Sequence, residues 1–319
     1  MSVTLADIEA AHRRISPYIH HTPVMESERL NELVGAWLFF KCEHLQKTGA
    51  FKTRGAVNAI FSLSDDEVRQ GVATHSSGNH GSALARAAKL RGVPAYIVLP
   101  GNARRVKKET IYGYGAEIIE CEATLAARES MLDEVVARTG AVFIPPYDDD
   151  RIIAGQGTAA LELVNDVSAL DALIVPVGGG GLLAGTSIVA KGMTSDTENS
   201  CAINVYGAEP EMADDAFRSF RSGERVGNHV PATMADGLST TLGERNFAII
   251  KDLSDGILLV SEDEIVAAMH LIWTRLKQVV EPSAAVTLAA AIRYPQIFTG
   301  KRIGLILTGG NLDLSDLPF

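Results

Sequence analysis

The chain has 319 residues, 46% hydrophobic and 21% charged, long enough for two compact lobes or one large α/β domain. A formal net charge of -10 and a pI near 5.3 argue against nucleic acid or an anionic membrane as partner, while leaving room for a local positive pocket. The apolar runs are strand-length, short of the roughly 20 residues a membrane span needs, and no basic stretch precedes an apolar core at the N-terminus, so no secretory signal is expected.

Thr4 stands as an N-cap before apolar residues at helical spacing, which predicts a helix over 4–16. A strand over 37–41 leads into a loop and then a helix over about 51–63. Strand and helix alternate from there: strand 71–75, helix 81–91, strand 95–99, helix 106–112, strand 117–120, helix 124–138 and strand 142–144. A second series runs through helix 157–164, strand 172–177, helix 182–191 and strand 203–208, and ends at strand 303–307. Such alternation implies parallel sheets joined by right-handed crossovers. Two doubly wound lobes with a cleft between them are expected: a small lobe over 69–148, inserted into a large one made of 1–68 and 149–319. Cys42, Cys121 and Cys201 are too few and too scattered for a disulfide framework or a zinc site, and read as free thiols of a cytoplasmic protein.

Three stretches carry chemistry. In Lys47-Thr48-Gly49-Ala50-Phe51-Lys52-Thr53-Arg54-Gly55-Ala56, Lys52 is surrounded by small residues that let it pack. Packing depresses a lysine's pKa, and only the neutral amine attacks an aldehyde to form a Schiff base; a solvated helix lysine is the plain alternative. Gly178-Gly179-Gly180-Gly181 follows the buried-strand run 171–177 and precedes helical Leu182-Leu183-Ala184. Backbone N–H groups freed by glycine, added to a helix N-terminus, make an anion cradle suited to a phosphate monoester. No Lys-Ser/Thr pair follows, so this is no Walker A loop. The same residues satisfy G-x-G-x-x-A, with Glu209 ending the next strand, so a nicotinamide-dependent dehydrogenase is a competing reading that leaves Lys52 unexplained. Third, Thr74-His75-Ser76-Ser77-Gly78-Asn79-His80-Gly81 gathers hydroxyls, an amide and exposed N–H groups at a helix start, fit to grip a carboxylate; simple N-capping is the alternative. Ser77 lacks both G-x-S-x-G and a visible His–Asp partner, which argues against a serine hydrolase.

Taken in order, these segments resemble the serine racemase and threonine/serine dehydratase family of fold type II pyridoxal 5′-phosphate enzymes. The resemblance also runs through Ala154-Gly155-Gln156-Gly157-Thr158, Ala208-Glu209-Pro210, Ala213-Asp214-Asp215, Glu281-Pro282-Ser283 and Thr308-Gly309-Gly310-Asn311-Leu312-Asp313. It implies a tryptophan synthase beta-like α/β fold with the cofactor in the cleft between two open-sheet lobes. It further implies that Lys52 is the Schiff-base and proton-transfer residue, that Phe51 packs beside the ring, and that Asn79 meets the ring hydroxyl. Gly178, Gly179, Gly180, Gly181 and the Leu182 amide would hold the phosphate, and Thr308 would face the pyridine nitrogen. Ser77 aligns with the acid/base hydroxyl that racemases use on the opposite face. Ser76, Ser77, Asn79, His80 and Arg128 would meet the substrate. Glu209, Asp215 and the Ala213 carbonyl match a divalent-cation site, whose oxygen ligands suit Mg²⁺, Ca²⁺ or Mn²⁺.

The implied activity is a dehydratase, or ammonia-lyase, that removes water from serine, threonine or 3-hydroxyaspartate to give a keto acid and ammonia. Serine or aspartate racemisation is the runner-up. Lys47 and Asn311 match a nucleotide site at the dimer interface of some relatives, but Ser82 replaces a longer amide there, so ATP activation is not expected. The few residues after Thr308 leave no room for a C-terminal regulatory domain. A homodimer acting on a small amino acid is expected.

Overall fold

The computed structural model describes residues 3–76, 78–103, 105–195, 202–314 and 317–319. The chain opens with α1 (Leu5–Ile15), β1 (Val24–Met25), α2 (Glu28–Val34), β2 (Trp37–Lys41), α3 (Lys52–Phe61) and α4 (Asp65–Val68). A middle run follows: β3 (Val72–His75), α5 (Asn79–Arg91), β4 (Ala95–Pro100), α6 (Arg105–Gly113), β5 (Glu117–Cys121), α7 (Leu125–Thr139) and β6 (Val142–Phe143). Next come α8 (Asp150–Asp166), β7 (Ala172–Pro176), α9 (Gly181–Ser195), β8 (Asn204–Pro210), α10 (Asp215–Ser222) and α11 (Glu244–Leu253). The chain then closes with β9 (Gly256–Val260), α12 (Glu262–Leu271), α13 (Pro282–Arg293), α14 (Pro295–Phe298) and β10 (Arg302–Ile306).

The middle run forms a four-stranded parallel sheet in the order β5-β4-β3-β6. The outer segments form a six-stranded sheet in the order β1-β2-β10-β7-β8-β9, parallel except for β1. A parallel sheet must be covered on both faces, and this one is. One face packs on α1, α8, α9, α10 and α11 through residues such as Ile8, Ile153, Leu183 and Ile250. The other packs on α2, α12, α13 and α14 through Leu30, Ile265, Leu288 and Phe298. Ala56, Val57, Ala59 and Ile60 of α3 join the core beneath the small sheet, so the Lys52 helix serves both sheets. Among the described residues, no helix is long and apolar enough to cross a membrane. Cys42 and Cys121 are free thiols, and Cys201 lies outside the described residues.

The predicted helix over 157–164 starts earlier, at Asp150, where the Asp149 carboxylate caps it by accepting from the Arg151 N–H at 2.8 Å. Glycines at 155 and 157 resemble helix breakers in sequence; here they lie inside the helix for packing reasons given below. The helix predicted from 81 likewise starts at Asn79. β1, β9 and the helices α10 to α14 fall in stretches where the sequence does not alternate clearly.

One buried cluster departs from an apolar core. Arg54 is fully buried and donates to both oxygens of Glu43, at 2.7 Å each, and to both oxygens of Glu162, at 2.7 and 2.8 Å. Lys41, also fully buried, lies 2.8 Å from Glu162 and donates to the Thr22 carbonyl at 2.8 Å. With Asp166 also 3.3 Å from Lys41, two cations face three carboxylates where α3 and β2 meet α8. Burial opposes ionisation of Glu162, but Arg54 and Lys41 outweigh it and hold its pKa down at about 2.

Candidate cofactor site

Three backbone contacts bring Lys52 to the end of β10. The Phe51 N–H donates to the Thr308 carbonyl at 3.0 Å, Ala50 bridges Gly309, and the Gly310 N–H donates to the Gly49 carbonyl at 3.0 Å. Lys52 then opens α3. Its amine donates to the Pro146 carbonyl at 2.8 Å and lies 5.2 Å from the centre of the Phe51 ring. The residue is half-buried, and desolvation of the amine lowers the pKa to about 8. Its hydrogen-bond partner is a neutral carbonyl rather than a carboxylate, and with a pKa of about 8 roughly a tenth of the amine is neutral at pH 7.

The glycine run joins β7 to the N-terminus of α9 and is buried throughout. Gly180 has φ +91°, which L side chains rarely adopt. The Gly179 carbonyl is held by Asn246 Nδ2 at 2.6 Å and the Gly243 N–H at 3.1 Å. Among the described residues, the N–H groups of Gly178, Gly179 and Gly180 have no acceptor. Buried donors without partners are costly, and a phosphate seated on them and on the α9 N-terminus relieves that cost. The Tyr147 ring lies so close to Gly179 that a Cβ there would stand 2.2 Å from it, and the Tyr147 hydroxyl bonds Thr240 Oγ1 at 3.0 Å. Pro146 and Tyr147 therefore link the Lys52 amine to the glycine turn through consecutive residues. The closeness of Tyr147 to Gly179 has no local signal in the sequence.

Thr308 Oγ1 is buried and has no hydrogen-bond partner among the described residues. Such a hydroxyl suits a heteroaromatic nitrogen. Asn79 Nδ2 donates to Glu281 Oε1 at 2.9 Å, and Asn79 Oδ1 accepts from Asn311 Nδ2 at 2.9 Å. Glu281 also accepts from the Asn311 N–H at 3.1 Å, so it organises the amide assigned to the ring hydroxyl. Sequence reading noted the Glu281-Pro282-Ser283 segment but gave Glu281 no task.

The substrate-side residues are less uniform. Ser77 lies outside the described residues. Ser76 directly follows β3 and is half-buried. The His80 ring is buried, bonds the Ile144 carbonyl at 3.1 Å, and has its pKa pushed down to about 3 by burial and then by the nearby Lys52 charge, so it stays neutral. Arg128 Nε donates to the Thr124 carbonyl at 3.4 Å, and its charge helps lower the His75 pKa after burial, which places it near the end of β3. Lys52, Phe51, Asn79, Thr308 and the glycine turn are thus connected; the His80 ring lies near enough to Lys52 to feel its charge, and Arg128 lies near His75.

Glu209 and Asp215 are both buried. Glu209 accepts from the Ala216 and Phe217 N–H groups at 3.0 and 2.8 Å, a commitment to the start of α10 that leaves little for a ribose. Asp215 Oδ2 accepts from the Leu242 N–H at 2.7 Å, while its Oδ1 is buried without a partner. Burial and then the neighbouring Asp215 push the Glu209 pKa well above the usual carboxylate range. Among the described residues, no three His, Cys, Asp or Glu side chains cluster for a metal, so a cation here would need backbone oxygens such as that of Ala213.

Two largely parallel sheets, a desolvated lysine, a glycine turn at a helix N-terminus and a buried lone hydroxyl have the chemistry that a phosphorylated aldehyde on a heteroaromatic ring requires. The chain belongs to the pyridoxal-phosphate dependent enzymes, whose family model matches residues 15–309. It is 52% identical to a serine racemase of Dictyostelium discoideum, covering 99% of this chain and 97% of that one. It is 49% identical to a beta-hydroxyaspartate dehydratase of Paracoccus denitrificans, covering 99% and 98%. A solved threonine deaminase of T.th. superposes with a TM-score of 0.90 at 42% identity, covering 98% of this chain and 100% of that one.

Proposed function

We propose that the chain removes water from a β-hydroxy amino acid, of the serine, threonine or 3-hydroxyaspartate class, to give a keto acid and ammonia. The carrying observation is Thr308: its hydroxyl is buried and unpartnered among the described residues, and facing a ring nitrogen it would not hold that nitrogen protonated as an acid would. When bound, pyridoxal phosphate supplies an electron sink for the bond broken at Cα. A hydroxyl at the nitrogen moderates that sink, which favours prompt departure of a β-leaving group. Lys52 would hold the aldehyde and, once free, take the Cα proton; its depressed pKa suits it to that exchange. The Gly178–Gly181 N–H groups would hold the phosphate, Phe51 would pack beside the ring, and Asn79, fixed by Glu281 and Asn311, would meet the ring hydroxyl. The Ser76–Asn79 turn and Arg128 would receive the substrate carboxylate. Relatives named beta-hydroxyaspartate dehydratase and threonine deaminase support this reading.

Keto-acid release from L- and D-serine, L-threonine and both 3-hydroxyaspartate diastereomers tests it. Release from at least one is expected; none from any would refute the elimination reading. Racemisation is the second reading, favoured by the 52% identity to a serine racemase. There Ser77 would act on the face opposite Lys52, so Ser77→Ala should spoil racemisation of L-serine and spare its elimination. We further propose that Glu209, Asp215 and the Ala213 carbonyl hold Mg²⁺, Ca²⁺ or Mn²⁺, and that the enzyme is a cytoplasmic homodimer.

A further inference from the structure

The glycines of Ala154-Gly155-Gln156-Gly157-Thr158 lie in the middle of α8 and face two different helices. A Cβ on Gly155 would stand 2.6 Å from the Gly55 Cα and 2.8 Å from the Arg54 carbonyl oxygen, both on α3. A Cβ on Gly157 would stand 3.1 Å from the Gly185 carbonyl oxygen on α9 and 2.8 Å from Ile8 Cδ1. The reverse holds too: a Cβ on Gly185 would stand 2.7 Å from the Gly157 nitrogen. Backbone therefore meets backbone at both crossings. Each crossing lies about one helical turn from an anchor, Gly55 beyond Lys52 and Gly185 beyond Gly181. The α3 crossing is locked further: Gln156 Oε1 accepts from the Gly55 N–H at 3.2 Å, and Thr158 and Glu162 accept from Arg54 at 3.2 Å and at 2.7 and 2.8 Å.

We infer that Gly155 and Gly157 are positioning residues: α8 sets the separation of the Lys52 helix from the glycine-turn helix, so that one cofactor molecule meets both anchors at once. This rests on the pyridoxal phosphate reading of the site. Two linked anchors bind far more tightly than either alone, but only while their spacing matches the ligand, and site geometry tolerates about 0.5 Å of error. A methyl on Gly155 must move a helix, because it meets α3 backbone at 2.6 and 2.8 Å; a methyl on Gly157 displaces Ile8 Cδ1 and presses the Gly185 backbone, at 3.1 and 3.2 Å, by a few tenths of an ångström.

The test compares three probes on the cofactor-free full chain. Pyridoxal 5′-phosphate uses both anchors, pyridoxal uses only Lys52, and pyridoxamine 5′-phosphate uses only the glycine turn. In Gly155→Ala and Gly157→Ala, the dissociation constant for pyridoxal 5′-phosphate should rise about tenfold or more, while the other two change by less than about twofold. Gly113→Ala, with open space around its Cα, should change none of the three. Should Gly157→Ala fail to fold, Ile8→Val with Gly157→Ala removes the Cδ1 atom in the way and keeps the push on α9; the same selective loss is expected, only smaller. Parallel weakening of all three probes, or unchanged binding of pyridoxal 5′-phosphate, would overturn the spacer role while leaving the cofactor reading intact. Failure of the unsubstituted chain to bind pyridoxal 5′-phosphate would overturn both.

Discussion

Lys52 owes its chemistry to what surrounds it. Desolvation lowers its pKa to about 8 from the ordinary 10.5, and among the described residues no carboxylate bonds its amine. The rate at which the cofactor-free chain captures pyridoxal 5′-phosphate covalently should therefore rise with pH and level off above about 8; an inflection near 10.5 would show a solvated amine. Two residues on, Arg54 lies at the opposite extreme, a cation that burial alone would disfavour but that Glu43 and Glu162 hold charged. Arg54→Met leaves the buried Glu43 carboxylate without its bidentate cation and Glu162 with Lys41, which Asp166 also draws on at 3.3 Å. Removing one partner of such a cluster costs about 3–5 kcal/mol, which urea unfolding would register as a lower midpoint. The sign of the acid dependence follows from Glu162. Its folded pKa, about 2, lies below the unfolded value of 4.5, so its contribution is full above about 4.5 and is lost as pH falls toward 2.

At the scale of elements, what could be read in advance depended on periodicity. β7, buried along its length, and the alternating run from β3 to β6 follow from hydrophobic pattern and turn residues. α8 was only half read, because propensity penalises glycine inside a helix whereas close helix crossings require it. The start of α10 shows a similar limit: the acids of the 209–215 stretch suggest a cation, yet only the fold shows Asp215 Oδ1 buried without a partner. A divalent cation filling that gap should raise the melting temperature by several degrees. Glu209→Gln and Asp215→Asn should each abolish the rise. An equal rise in those variants, read by calorimetry with Ca²⁺, Mg²⁺ or Mn²⁺, would place the ion elsewhere.

At the scale of the whole molecule, the site draws on both sheets. α3 belongs to the core beneath the four-stranded sheet, and α9 to a face of the six-stranded one. A ligand held by both should stabilise the molecule as one body. Added pyridoxal 5′-phosphate should therefore raise the melting temperature in a concentration-dependent way, and Lys52→Ala should shrink that rise and remove the visible absorbance of the bound cofactor. A full rise in Lys52→Ala would mean that the glycine turn alone holds the ligand.

By itself the amino-acid sequence determined the lysine, the glycine run, the ordered motifs and the alternation that makes parallel sheets, because these depend on local pattern and residue chemistry. Only the tertiary structure decided that Pro146 and Tyr147 join the amine to the glycine turn, that Glu281 orders Asn79, and that His80 bonds the Ile144 carbonyl near Lys52. Those contacts span from about 30 to 200 residues of chain, and their distances come from helix packing and burial, which no local stretch of sequence encodes.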